Sequence, residues 1–215
     1  MDIAANRKSR ANLNKMGKPL SENYPKYCLF IYLTAWALLA IKPLDRFDWF
    51  LENLLPFIFV PLLILTYKKF RLSNLSYTLI TIFMILHAVG AHYSYSEVPF
   101  FKSLFGILHF QRDNYDRLVH FTFGLFMAHP VREFIVKNSK IKGFLSYLIP
   151  ATIIMSSSAA YEIIEWAVAM IVQPDNAVAW LGLQGDVFDP EKDMLMAAAG
   201  AFTAMIAVHF RKMNQ

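Results

Sequence analysis

Two glutamates stand one helical turn apart inside an apolar run: Glu162 and Glu165 in the segment YEIIEW. Residues three apart share a helix face. Two carboxylates on one buried face cannot both stay ionised cheaply, so they share a proton or a cation neutralises them. A second group, RDNYDRLVH, sets Asp113, Asp116, Arg117 and His120 at i, i+3, i+4 and i+7, again one face. A third, QGDVFDPEKDM, holds Asp186 and then Asp189 and Asp193, four apart around Pro190. Carboxylate oxygens with one imidazole suit Mg²⁺, Mn²⁺, Fe²⁺ or Zn²⁺. The pattern therefore predicts a divalent-metal site drawn from Glu162, Glu165, His120, Asp189 and Asp193, with Asp186 and His87 as further candidate ligands. Glu162, Glu165, His120 and Asp116 are the acid/base candidates, acting directly or on a metal-bound water. Arg117, Asp113 and Arg112 are the substrate-binding candidates, the arginines as a clamp on phosphate.

Blander roles compete for the same residues. Asp189 before Pro190 is a natural helix N-cap, which does not exclude ligation. Asp113 and Arg117 can form a plain i, i+4 ion pair. His87 and His92 are five apart and do not share a face, so at least one is expected to be structural. Glu162 and Glu165 can neutralise Arg112 or Arg117 in a buried network. Trp49, Trp166, Trp180, Tyr93 and Tyr95 read as interface anchors. Gly124 continues the His120 face and admits a close helix, and Gly200 with Ala204 reads as a small-residue packing seam.

The elements that must position these groups are membrane spans. The 215 residues are 56% hydrophobic and only 17% charged, with a mean hydropathy of +0.37. A soluble domain carries about 25% charged residues. A single Cys28 excludes a disulfide scaffold. About 20 apolar residues cross a bilayer. Six segments approach that: Tyr27–Ile41, Trp49–Tyr67, Leu75–Tyr95, Leu118–Val136, Phe144–Val172 and Asp193–Phe210. A soluble helical bundle would show polar faces, and FIFVPLLIL at 57–65 shows none. The expected fold is thus all-α: one transmembrane domain of about six helices over 27–215, after a basic tail at 1–26.

Charge sets the expected orientation. The tail, the loops near 68–74 and 132–143 and the C-terminus carry 15 of the 21 Lys and Arg, and only Asp2, Glu22 and Glu133 of the 16 acids. Cytoplasmic loops are enriched in Lys and Arg, so both termini are expected inside. The pI of 9.2 then reflects topology and anionic lipid, with no nucleic acid as partner. This topology gathers His87, His92, His120, Glu52, Glu162, Glu165 and Asp193 toward one extracytoplasmic layer.

RDNYDRLVHFTFG, YEIIEW and QGDVFDPEKDMLMAAAGA together resemble the YjdF-type bacterial inner-membrane proteins, a group related to the VanZ-like proteins. Glu162, Asp189, Asp193 and Gly200 occupy the places of the VanZ-like acidic and small residues; Glu165 and the leading QGD are closer to the YjdF type. The resemblance implies a multi-spanning protein of the bacterial inner membrane and little chemistry. Three functions are compatible with the residues: a metal-dependent enzyme acting on a lipid or lipid-linked headgroup, a proton- or cation-coupled carrier, or a non-catalytic envelope factor. A carrier would need polar groups continuing into the cytoplasmic half, where the spans offer hydroxyls such as Thr78, Thr81, Ser146 and Thr152.

Overall fold

Seven helical segments dominate residues 23–100, 114–172, 181 and 184–213, the part that this computed structural model describes, and no strand occurs among them. They are α1 (Tyr24–Leu39), α2 (Arg46–Glu52), α3 (Leu54–Thr66), α4 (Asn74–His92), α5 (Tyr115–Asn138), α6 (Leu145–Val172) and α7 (Asp189–Met213). Four stretches are long and apolar enough to cross a membrane: Arg46–Thr66, which joins α2 to α3, then Asn74–His92, Leu145–Val172 and Asp189–Arg211. With α1 and α5 they make the six expected helical units.

Helix α1 has 16 residues, about 24 Å at 1.5 Å per residue, short of the ~30 Å hydrocarbon core. Its membrane character is carried by exposed Tyr27, Phe30, Ile31, Leu33 and Leu38. Helix α5 is long enough, with 24 residues, but carries Asp116, Arg117, Arg132, Glu133 and Lys137. It can do so because α4, α6 and α7 all pack against it. A helix enclosed by protein needs no lipid-compatible perimeter.

The second expected span, Trp49–Tyr67, is divided. Asn53, fully buried, ends α2 and begins α3. Its Nδ2 donates to the Trp49 carbonyl at 2.6 Å, and its Oδ1 accepts from Trp36 Nε1 at 2.6 Å. Trp49 is consequently not an interface anchor. It is buried against Trp36, with ring centroids 5.6 Å apart, and against Phe57. Asp45 caps α2 by accepting from Phe47 N and Asp48 N, each at 2.8 Å. The last helix starts at Asp189, where Pro190 marks the first turn, four residues ahead of the apolar span at Asp193.

Small residues set the closest helix pair. A Cβ at Gly124 of α5 would strike the backbone of Ala197 and Ala201 in α7, and one at Gly200 would strike Phe121 and Leu125. Ala128, Ala197, Ala201 and Ala204 extend the seam, all buried. Both glycines thus serve the packing role expected of them. The seam holds the first turns of α5 and α7 side by side.

Candidate functional site

Asp116, Arg117 and His120 leave the first turns of α5 toward α7, α6 and α2. Arg117 Nη2 donates to Asp186 Oδ2 at 2.6 Å and to Asp189 Oδ1 at 3.1 Å. Lys192 Nζ reaches Asp186 Oδ2 at 2.5 Å. Lys192 and Arg117 together hold the Asp186 carboxyl down, from the ordinary 3.8 to about 2. Behind Asp186, carboxylate oxygens of Asp116, Asp189 and Asp193 lie within 4.8 Å of one another, with Asp189 and Asp193 buried. A cation with oxygen ligands at about 2.3–2.6 Å can be shared across such a span.

His120 links this triad to α6. Its Nε2 lies 3.2 Å from Glu162 Oε1 and 3.6 Å from Asp116 Oδ1. Its Nδ1 is 3.1 Å from Ser158 Oγ. Ser158 sits one turn before Glu162, so one face of α6 fixes both ring nitrogens. The ring is buried, and the Glu162 side chain is 10% exposed.

A third subset joins through tyrosines. Tyr161 Oη donates to Glu52 Oε2 at 2.6 Å, and Glu165 stands beside Tyr161 and Glu52. His87 Nε2 is 3.0 Å from the Glu52 carbonyl, and Tyr95 Oη is 2.5 Å from His87 Nδ1. Tyr95 is therefore no interface anchor. Ser94 and Tyr95 adopt positive φ, which folds the ring back over Gly90, where a Cβ would collide with it. His92 Nδ1 lies 2.7 Å from the Leu39 carbonyl, a structural contact.

The structure thus brings together Asp116, Arg117, His120, Asp186, Asp189 and Asp193, with Glu162 attached through His120. Glu165 and His87 lie in the neighbouring tyrosine-linked group. Arg112, Asp113 and Trp180 fall outside the described residues. Sequence reasoning missed Tyr161 and Tyr95. Tyr161 was discoverable, because it lies four residues before Glu165 on the same face. Tyr95 was not, because its placement depends on the backbone reversal after α4.

Below the polar layer lies a cavity of about 450 Å³ bounded by α3, α4, α5 and α6. Asp116, His120, His87, Tyr95, Ser158 and Tyr161 line one end; Phe59, Phe83, Met84, Phe123 and Met127 line its body.

The sequence profile of the family described as "Predicted membrane protein (DUF2238)" matches residues 24–214. The chain belongs to this family. The inner membrane protein YjdF of Escherichia coli (strain K12) is 35% identical over 169 residues, 78% of this chain and 80% of that protein. No solved structure matches. Family and fold agree on an integral, multi-pass membrane protein of the YjdF type, whose apolar helices are in contact with lipid.

Proposed function

We propose that the chain is a metal-dependent enzyme of the bacterial inner membrane acting on the headgroup of a lipid or lipid-linked substrate. Both termini are cytoplasmic in this reading, and the polar layer faces outward. Asp116, Asp189 and Asp193 would hold a divalent cation, which would supply Lewis-acid polarisation of a phosphoryl or carbonyl oxygen or lower the pKa of a water. His120 is the general base or acid, oriented by Ser158 and Glu162. Arg117 steadies Asp189 and Asp186, and it offers a cation to an anionic headgroup. The relation to VanZ-like envelope proteins belongs to the same proposal.

One observation carries this reading: Asp116, one member of the carboxylate triad, and His120 line the polar end of an otherwise apolar cavity, with Asp189 and Asp193 next to Asp116. Reactive groups and a chain-shaped space in series suit an amphiphile. A carrier is supported less well, because the cavity body presents Met84, Phe123 and Met127 where a proton or ion path needs polar groups.

Elemental analysis of the purified protein is the test. Near-stoichiometric divalent metal in the wild type, lost in Asp193→Asn and Asp116→Asn and retained in Glu165→Gln, supports the assignment. A folded wild type that takes up no Mg²⁺, Mn²⁺, Fe²⁺ or Zn²⁺ on titration overturns the metal role.

A further inference from the structure

We propose that the cavity is a site for one hydrocarbon chain of a membrane lipid, which enters sideways from the bilayer between α3 and α6. The proposal deepens the functional reading above and rests on it in one respect: the polar end of that chain is the group acted on.

Shape is the first argument. On α5 the lining residues are Asp116, Val119, His120, Phe123, Met127 and Val131. Their spacing follows a single helix face. Fifteen residues separate the first from the last, about 22 Å at 1.5 Å per residue. Half of the ~30 Å hydrocarbon core is about 15 Å, so the cavity is long on the scale of a lipid chain. A volume of about 450 Å³ lies within the usual range of ligand sites, about 300–1,000 Å³. Only one end is polar. An apolar space lined by Phe and Met side chains is a poor host for water, which needs two to four polar partners. A compact polar ligand would leave most of it empty, whereas an alkyl or prenyl chain fills it.

Access is the second argument. Leu55, Ile58, Leu62 and Ile153 line the cavity and leave much of their surface accessible, Ile58 66% and Leu62 54%. Cavity walls this accessible belong to an open slot rather than a closed void, and in a membrane such an opening meets hydrocarbon. The bundle is held by pairings of α5 with α4, α6 and α7, of α7 with α6 and of α1 with α4. Helix α3 is outside this set; it joins α2 at Asn53 and reaches the core through Phe59, Val60 and Leu63. A second cavity of about 240 Å³ lies on its other flank and shares the Phe59 and Met84 walls. Helix α3 therefore stands over open space on both sides, as a chain-admitting wall requires. Val131 and Leu62 lie farthest from the polar end on their helices and close the far end of the slot, so they set the chain length admitted.

The test uses the full chain in vesicles of phosphatidylethanolamine and phosphatidylglycerol. The probes are phosphatidylglycerols bearing a photoactivatable diazirine at mid-chain or at the chain terminus. Irradiation and peptide mapping are expected to place mid-chain adducts at Phe83 and Phe123, and terminal adducts at Met127 and Val131. Val131→Trp is expected to reduce the terminal adducts at Met127 several-fold and leave the mid-chain ones in place. Adducts confined to outward residues such as Leu65, Ile171 and Ile206 in the folded wild type overturn the proposal, whatever Val131→Trp does. Metal content measured on the same samples separates the two readings. Cavity labelling without metal sinks the metal enzyme and keeps the chain site; metal without cavity labelling sinks the chain site alone.

Discussion

Adding a single methyl group to the α5–α7 seam should weaken the protein, although elsewhere the same change would strengthen it. In an open helix interior, Gly to Ala gains roughly 1 kcal/mol. At Gly124 the added Cβ would meet the Ala197 carbonyl and the Ala201 amide, which are backbone groups and cannot rotate away. Gly200 meets Phe121 and Leu125 in the same manner. Restoring van der Waals contact near 3.5 Å moves the helices apart by roughly 1 Å or more. Overpacking of this kind costs about 1–3 kcal/mol, and immovable backbone on both sides places it toward the upper end. After the propensity gain, a net loss of about 1–2 kcal/mol remains for Gly124→Ala or Gly200→Ala. For a chain of this size that lowers Tm by roughly 2–8 °C.

The two glycines lie on opposite walls of one contact, so their effects should not add. Once one Cβ has separated the helices, the second finds part of the space already open. The double variant is expected to fall short of the summed losses by about 0.5 kcal/mol or more. Thermal unfolding in detergent, followed by tryptophan fluorescence, measures all three variants. An unchanged or raised Tm in either single variant, or strict additivity in the double, refutes the seam. Metal affinity should fall alongside Tm, because the seam aligns Asp116 with Asp189 and Asp193.

Three further outcomes follow from named contacts. Glu133 accepts from Ser73 N and from Ser73 Oγ at 2.7 Å each, from Ser76 Oγ, and from Lys137 Nζ at 2.6 Å; Glu133→Ala strips the start of α4 and should cost about 1–3 kcal/mol in denaturant unfolding, more than Ser73→Ala at about 0.5–2 kcal/mol. Asn53→Leu leaves the Trp36 indole N–H without its acceptor and should cost about 1–3 kcal/mol, with a blue-shifted tryptophan emission if α2 and α3 realign. Asp186 has a folded pKa of about 2, below its ordinary 3.8, so its anchoring of the 186–189 turn is complete above about pH 4 and is lost as pH falls toward 2; amide protection at Val187 and Phe188, taken relative to the intrinsic exchange rate at each pH, should fall across that window, and Asp186→Asn should remove that fall.

Different residues were legible to different degrees. Apolar runs fixed the helical class, because bilayer thickness demands length and a membrane interior forbids unpaired backbone. Gly124 and Gly200 were readable as close contacts, because their positions continue helix faces. The break at Asn53 was hidden: an Asn flanked by Leu-rich sequence gives no warning that Trp36, seventeen residues away, supplies its partner. Asp116, Asp189 and Asp193 could be seen as members of two faces, yet which of them meet depends on the register of α5 against α7, and one sequence does not encode that as a pattern. Glu162 and Glu165 share a face, but the structure gives them separate neighbours, His120 and the Tyr161–Glu52 pair.

Helix α5 shows why these separate features belong to one design. It carries charged groups near both of its ends, and α4, α6 and α7 pack against it. Near one end it carries Asp116, Arg117 and His120; near the other, His129, Arg132 and Glu133, where Glu133 binds the start of α4 and His129 Nδ1 lies 3.2 Å from Ser76 Oγ. Between them Phe123 and Met127 present hydrocarbon to the cavity. An ion or proton crossing along this axis would lose every polar partner over that interval, a cost of several kcal/mol per unsatisfied group. A lipid chain lying against it loses nothing. The polarity of α5 therefore favours two fixed ends with a hydrocarbon slot between them over a conduction path. The basic end anchors neighbouring helices, and the acidic end is where the proposed chemistry sits.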